Sequence, residues 1–297
     1  MGGEQPVFRR VQVIINPASG GNLPVLKILN SAFRPYGLRW DVSVTNQAGD
    51  GFHLARQAVA AGVDLVAACG GDGTIREVAA GLAGSGVPLA ILPGGVGNVM
   101  AAELGIPRRL RRAARLVGEG GRLRALDLGC IGQQAFLMRA SVGFEAEVAE
   151  KTSREMKDRF GLLAYAISVV QALTTPQTAR YHLSLDGQQM EAEGFSLLIA
   201  NAGSIGRLNL SLADSIQPDD GLLDVMVIDT ALAMAARIAR LDEPWVSPQH
   251  WKVRRVSVVA EPPQHVQVDG DPLGSTPITV SVLPQAVHVL VPDVPQR

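Results

Sequence analysis

Residues 65–74 read Leu65-Val66-Ala67-Ala68-Cys69-Gly70-Gly71-Asp72-Gly73-Thr74, and this stretch decides the first half of the fold. An unbroken apolar run fits a strand buried on both faces, the condition of a parallel sheet. The run breaks at two glycines, and from about Ile75 to Ala83 the spacing turns helical. Strand, glycine turn and helix in that order make half of a βαβ unit.

The same pattern recurs on either side. Val11–Ile15 is an apolar run ending in Asn16-Pro17-Ala18-Ser19-Gly20-Gly21, with a helix expected over Leu23–Phe33. Arg39–Val44 and His53–Ala61 read as the next strand and helix, and Leu89–Leu92 as a fourth strand. That strand ends in Pro93-Gly94-Gly95-Val96-Gly97-Asn98 before a short helix over Val99–Leu104. The repetition predicts a doubly wound α/β domain over residues 1–125, whose turns lie where such sheets bind ligands.

After Arg124 the pattern changes. Leu126–Leu128, Phe136–Ala140, Arg180–Leu185, Phe195–Asn201, Leu223–Val227, Val253–Val259, His265–Val268, Ile278–Val282 and Val287–Val291 read as short strands. Asp186-Gly187 closes one of them as a hairpin. Residues 126–297 are therefore expected to form a β-sandwich-like domain, interrupted by helices near 147–173 and 231–241, the last strand being a candidate for return to the first domain.

Composition narrows the classes. At 297 residues, 47% apolar and a net charge of −1, the chain can bury two cores and has no global pull toward nucleic acid. Cys69 and Cys130 make neither a disulfide framework nor a zinc motif, which fits a reducing cytosol. No apolar stretch reaches the roughly 18–20 residues of a membrane span, and the first residues lack a signal-peptide core.

Glycines let backbone N–H groups approach anionic oxygens, and a helix N-terminus adds its dipole. One such loop is an ordinary tight turn; three at one sheet edge argue for a polyphosphate. Asp72 can then serve Mg²⁺ and Thr74 can donate to a phosphate oxygen. No loop fits G-x-x-x-x-G-K-[ST], so this is not a P-loop.

These segments resemble the diacylglycerol kinase catalytic-domain family, which includes bacterial lipid kinases and the sphingosine and ceramide kinases. The resemblance rests on Ile14–Gly20, on Gly70–Thr74 with Glu77 and Gly81-Leu82, and on Pro93–Asn98 with Leu104–Pro107. Ser141–Phe144, Ala200–Gly203, Asp220–Asp224 and Val268–Asp271 extend it through the second half. It implies a nucleotide in a cleft between an α/β domain and a β-sandwich, with ATP and Mg²⁺ as cofactors and a lipid hydroxyl at a membrane surface as acceptor. The implied nucleotide contacts are Asn16, Ser19, Gly20, Thr45, Gly70, Gly71, Asp72, Gly73, Thr74, Glu77, Gly94, Gly95, Val96 and Asn98. Asp220, with the carbonyls of Gln217 and Leu222, resembles a structural Mg²⁺ site, although Pro218–Gly221 is also a good turn.

A carboxylate near Asp269-Gly270-Asp271 is the implied base. Spacing alone does not choose between the two, because the glycine turn removes the strand geometry. The family usually has Glu at the second position, which favours Asp271 with Asp269 supporting. Val96 replaces a usual Thr, Glu145 a usual Asp, and Asp271 that Glu. The arginines at 108, 109, 111, 112, 115, 122 and 124 suit an anionic membrane or, as readily, a solvated helix face. The resulting expectation is a cytoplasmic lipid kinase, peripheral on the inner membrane surface, with homo-oligomerisation open. The alternatives are a kinase of a soluble substrate such as NAD, sharing the Gly-Gly-Asp-Gly-Thr element, and a nucleotide-binding module without catalysis.

Overall fold

The computed structural model describes residues 8–19, 23–95, 97–143, 178–205, 210–213, 215–229 and 249–293. Two compact units emerge. The first comprises Met1–Leu128, Ser204–Ser211 and Pro284–Arg297, and the second Gly129–Gly203 and Leu212–Leu283. The helices expected near 147–173 and 231–241, together with Gly20, Val96 and Glu145, lie outside the described residues.

In the first unit the strands are β1 (Arg10–Ile15), β2 (Arg39–Val44), β3 (Leu65–Gly70) and β4 (Leu89–Pro93), all parallel, in the spatial order β2-β1-β3-β4. Between and after them run α1 (Val25–Phe33), α2 (Asp50–Ala60), α3 (Asp72–Leu82), α4 (Val99–Glu103) and α5 (Leu110–Glu119). Every residue of β3 and β4 is buried, as their continuous apolar sequences require. The chain moves from β1 outward to β2, then returns past β1 to β3. The winding direction therefore reverses between β1 and β3, and in open α/β sheets the crevice at such a reversal is the ligand site.

The remaining strands are β5 (Arg122–Ile131), β6 (Gln134–Phe136), β7 (Arg139–Gly143), β8 (Ala179–Leu185), β9 (Gln188–Gly194), β10 (Ser196–Ala200) and the short β11 (Ser204–Ile205) and β12 (Leu210–Ser211). They are followed by β13 (Leu223–Ile228), β14 (His250–Val253), β15 (Arg255–Glu261), β16 (His265–Val268), β17 (Asp271–Ser275) and β18 (Ile278–Val291). The second unit stacks the antiparallel array β14-β13-β10-β7-β16-β17 on the antiparallel strands β9-β8-β15 and the first half of β18. Val142, Leu197, Val225 and Val266 meet Tyr181, Leu183, Val256 and Val258 in one core cluster. In β15 the pattern is strict: Val256, Val258 and Ala260 are buried while Arg255, Val259 and Glu261 are exposed. That alternation is the mark of a sandwich strand.

Several strand boundaries differ from the sequence expectation. The segment 136–140 is two strands, because Leu137, Met138 and Arg139 turn their N–H groups onto the Asp269 carboxylate at 2.9, 3.0 and 2.9 Å. The segment 253–259 divides at Arg254, whose N–H donates to both carboxylate oxygens of Asp186 at 3.1 Å. The two expected strands at 278–291 are instead one, β18, whose end pairs with β4 at Val289↔Leu89. β9 escaped notice because its exposed polar residues hide the alternation, and β17 because it contains Pro272 and Gly274 and buries no residue fully.

Candidate functional site

The loops after β1, β3 and β4 are tied to one another by side chains. Asn16 donates from its backbone N–H to Cys69 O at 2.9 Å and from Nδ2 to Thr74 Oγ1 at 2.9 Å. Its Oδ1 accepts from Ala18 N at 2.9 Å, and its carbonyl accepts from the Ser19 hydroxyl at 2.8 Å. One asparagine thus shapes the first loop and pins it to the second, across the reversal between β1 and β3.

Asp72 joins the second loop to the third. Its Oδ1 accepts from Val99 N at 2.8 Å and from Met100 N at 3.3 Å, so it caps α4 from a different helix. Burial pushes the Asp72 carboxyl above its ordinary value, and the backbone donors of Met100, Val99 and Asn98 pull it back. Asn98 closes the third loop on itself: Oδ1 accepts from Gly95 N at 3.0 Å and Nδ2 donates to Gly95 O at 2.6 Å. It sits at φ 50°, a left-handed conformation that asparagine tolerates better than most residues.

The glycines divide into two kinds. A Cβ on Gly70 would lie 2.6 Å from the Thr74 side chain, one on Gly95 2.6 Å from Gly71 Cα, and one on Gly97 2.6 Å from Asp72 Oδ2. These three are bare because the loops pack backbone against side chain and backbone. Gly73 is different. It lies in the first turn of α3, is exposed, and a Cβ there would meet nothing within 4 Å. Gly71 beside it is nearly as open, its nearest neighbour being Gly95 Cα at 3.7 Å. Bare backbone facing open space at a helix N-terminus is a cradle for an anion.

Two further residues expected at the nucleotide have protein partners of their own. Glu77 accepts from Gly49 N at 2.9 Å with Oε1 and from Gly51 N at 3.0 Å with Oε2, fixing the entry to α2. Thr45 is buried, and its N–H donates to Ile15 O at 2.9 Å, extending the β1–β2 ladder. An open recess of about 590 Å³ adjoins the first loop, with Asn16 and Ser19 at one side and Leu23, Leu26, Val42 and Val44 among its apolar walls.

In the second unit, Asp269 sits at φ 47° and its carboxylate receives all three N–H bonds from Leu137, Met138 and Arg139. Asp271 opens β17 opposite Val268 and is half-buried. At the other end of the same array Asp220 is fully engaged. Oδ1 accepts from Leu222 N at 3.0 Å, and Oδ2 accepts from the Lys252 ammonium at 2.6 Å. Asp224, wholly buried, holds His250 Nε2 at 2.6 Å through Oδ1, and burial raises its carboxyl despite His250 and Lys252. Lys252 and His250 were missed as site residues. The signal was present, because positions 250 and 252 of a strand share a face.

Family models match both halves of the chain: the diacylglycerol kinase catalytic domain over residues 10–131, and the YegS C-terminal NAD kinase β-sandwich-like domain over 138–291. A Pseudomonas aeruginosa protein named probable lipid kinase YegS-like is 33% identical over 95% of this chain and 94% of its own. The chain belongs to the diacylglycerol kinase catalytic domain family. A Bacillus subtilis protein named diacylglycerol kinase is 30% identical over 96% of this chain and 97% of its own length. An uncharacterised Synechocystis protein is 31% identical over 85% of this chain, which spans only 61% of that protein. A Bacillus anthracis structure described as a putative diacylglycerol kinase shares the fold with a TM-score of 0.82 at 24% identity, covering 97% of this chain and 98% of its own.

Membership in this family carries the expectation of a Mg²⁺ ion on Asp220 with the carbonyls of Gln217 and Leu222. The donor set does not suit it here: the carboxylate has one oxygen on a backbone N–H and the other on an ammonium. Among the described residues no helix is long and apolar enough to cross a membrane.

Proposed function

We propose that the chain is an ATP-dependent lipid kinase that transfers the γ-phosphoryl group to a hydroxyl of a diacylglycerol-like lipid. The observation that carries the nucleotide half is the open backbone of Gly71 and Gly73 at the N-terminus of α3, beside the reversal of the sheet. Residues 1–125 supply this half and residues 126–297 the acceptor half. The N–H groups of that turn hold phosphate oxygens, and Thr74, already oriented by Asn16, stands at the same turn. Ser19 and Gly94 belong to the flanking loops. The apolar recess walled by Val42 and Val44 suits the flat base of the nucleotide. A Mg²⁺ ion bound with the nucleotide phosphates would supply neutralisation of the charge that develops in transfer.

Of the two carboxylates at 269 and 271, Asp271 is the base. Asp269 already accepts three backbone N–H bonds, and removing it from them would undo the break between β6 and β7. Asp271 takes the proton of the acceptor hydroxyl, the oxygen attacks the γ-phosphorus, and the bond to the bridging oxygen of ADP breaks. A lipid acceptor places the protein at the inner membrane surface during turnover, and the names of the two full-length relatives favour that acceptor. The test is incubation with γ-labelled ATP and a panel of diacylglycerol, ceramide, sphingosine and monoacylglycerol in mixed micelles, with NAD as a soluble competitor. Label in a lipid phosphate is the expected result. Label in NADP, or nucleotide binding with no labelled product, would overturn it.

A further inference from the structure

We propose that the ammonium of Lys252, rather than a divalent metal ion, is the resident cation of the turn that joins Asp220 to Asp224. Lys252 on β14 stands directly opposite Asp224 on β13, so the strand register itself delivers the side chain there. From that position Nζ reaches Asp220 Oδ2 at 2.6 Å and Ser215 O at 2.8 Å, with Asp224 Oδ2 at 3.8 Å. Three oxygens of the segment 215–224, two of them carboxylate, face a group that has three donors and no acceptor, and two of the three lie within hydrogen-bond distance. A carbonyl and carboxylates gathered from a turn are also what Mg²⁺ collects, but Mg²⁺ demands oxygens at about 2.0–2.1 Å in octahedral array. An ion bound to Asp220 Oδ2 would lie within a few ångströms of Nζ, where two cations repel at the strength of a short charge pair.

The buried charge argues the same way. Asp224 is fully buried, and a carboxylate in that state needs a countercharge beside it. His250 Nε2 occupies Oδ1 at 2.6 Å, which leaves Oδ2 turned toward the lysine. A single ammonium therefore serves an exposed carboxylate, a turn carbonyl and a buried carboxylate, and it is covalently part of the chain. Fastening the 215–222 turn to β14 in this way makes that part of the second unit independent of divalent ions. The inference does not depend on which acceptor the enzyme uses.

Two measurements on the whole protein without nucleotide test it. In equilibrium titration with Mn²⁺, the wild-type protein and Asp220→Asn should bind the ion equally weakly. Wild-type binding that Asp220→Asn abolishes would overturn the assignment. In thermal denaturation, the wild-type midpoint should be the same in EDTA and in millimolar MgCl₂. Lys252→Met should lower the midpoint by about 2–4 °C or more. Mg²⁺ should restore part of that loss, because the vacated carboxylates then take a metal, and Lys252→Met/Asp220→Asn should lose the rescue. Lys252→Arg, which keeps the charge, should stay insensitive to Mg²⁺. A Mg²⁺-stabilised wild-type protein, or an unchanged midpoint in Lys252→Met, would refute the proposal.

Discussion

The turn at Gly71-Asp72-Gly73 and the turn at Asp269-Gly270-Asp271 use the same two residue types in opposite ways. In the first, the carboxylate is scaffold and the backbone is the working surface: Asp72 caps α4, while Gly71 and Gly73 face open space. In the second, one carboxylate is again scaffold, because Asp269 gathers three N–H groups, and a second carboxylate, Asp271, follows two positions later at the start of β17. An Asp in a glycine turn is thus no guide to chemistry until its hydrogen bonds have been traced. The difference matches the two halves of phosphoryl transfer. Holding phosphate needs many weak donors in a fixed curve, and activating a hydroxyl needs one acceptor of protons.

The largest effect should come from separating the two carboxylates. Asp271→Asn should lower kcat by about 10²–10⁴-fold with ATP affinity nearly unchanged, the usual worth of a general base. Asp269→Asn should act on stability instead. Asparagine tolerates the left-handed backbone at 269, so the variant isolates the lost charge-assisted bonds, worth roughly 1.5–3 kcal/mol. Urea unfolding and steady-state kinetics on both variants decide the matter. If Asp269→Asn keeps its stability and loses turnover while Asp271→Asn stays active, the roles are reversed.

The next comparison sets two glycines of the first unit against each other. Gly95→Ala drives a methyl to within 2.6 Å of Gly71 Cα and should cost roughly 1–3 kcal/mol of stability. Gly73→Ala meets no protein atom and sits in the first turn of a helix, so it should stabilise by about 0.4–1 kcal/mol. The same methyl points where a phosphate is proposed to lie, so nucleotide affinity should fall in that more stable protein. A Gly73→Ala variant that binds ATP as well as the wild type would remove the cradle from the mechanism.

Much of this architecture was legible beforehand, and the reason is local. β3 and β4 announce themselves by apolar runs ending in glycine or proline, and the hairpin at Asp186-Gly187 by its turn chemistry, both residues having positive φ. β9 was illegible because Gln188, Gln189, Glu191 and Glu193 face outward and swamp the few buried positions. Residue type finds candidates but not their protein partners. Glu77, expected at the nucleotide, holds the N–H groups of Gly49 and Gly51 nearly thirty residues away, a tie that its type does not show. The face that positions 250 and 252 share is readable, but the partners of Lys252 are 32 and 37 positions distant, and only strand register brings them together.

The smallest effect tests whether Asp72 really is scaffold. Burial raises its carboxyl above the ordinary value, so the folded state holds the proton at pH values where the unfolded chain has released it. A group raised in this way contributes its full stability below the unfolded value, near pH 3.8, and loses it as pH rises through the higher folded value. Asp72 should therefore contribute a negative slope of stability with pH just above 3.8, and Asp72→Asn should make the slope shallower while the raised Asp224 carboxyl keeps its own share. Asparagine keeps an oxygen for Val99 N, so the cap on α4 survives and the comparison isolates the ionisation. Urea unfolding of both proteins between pH 4 and 7 reads the slopes. Parallel curves would mean that the carboxylate is solvated, free of α4 and available to a metal, and the contrast between the two aspartate turns would collapse.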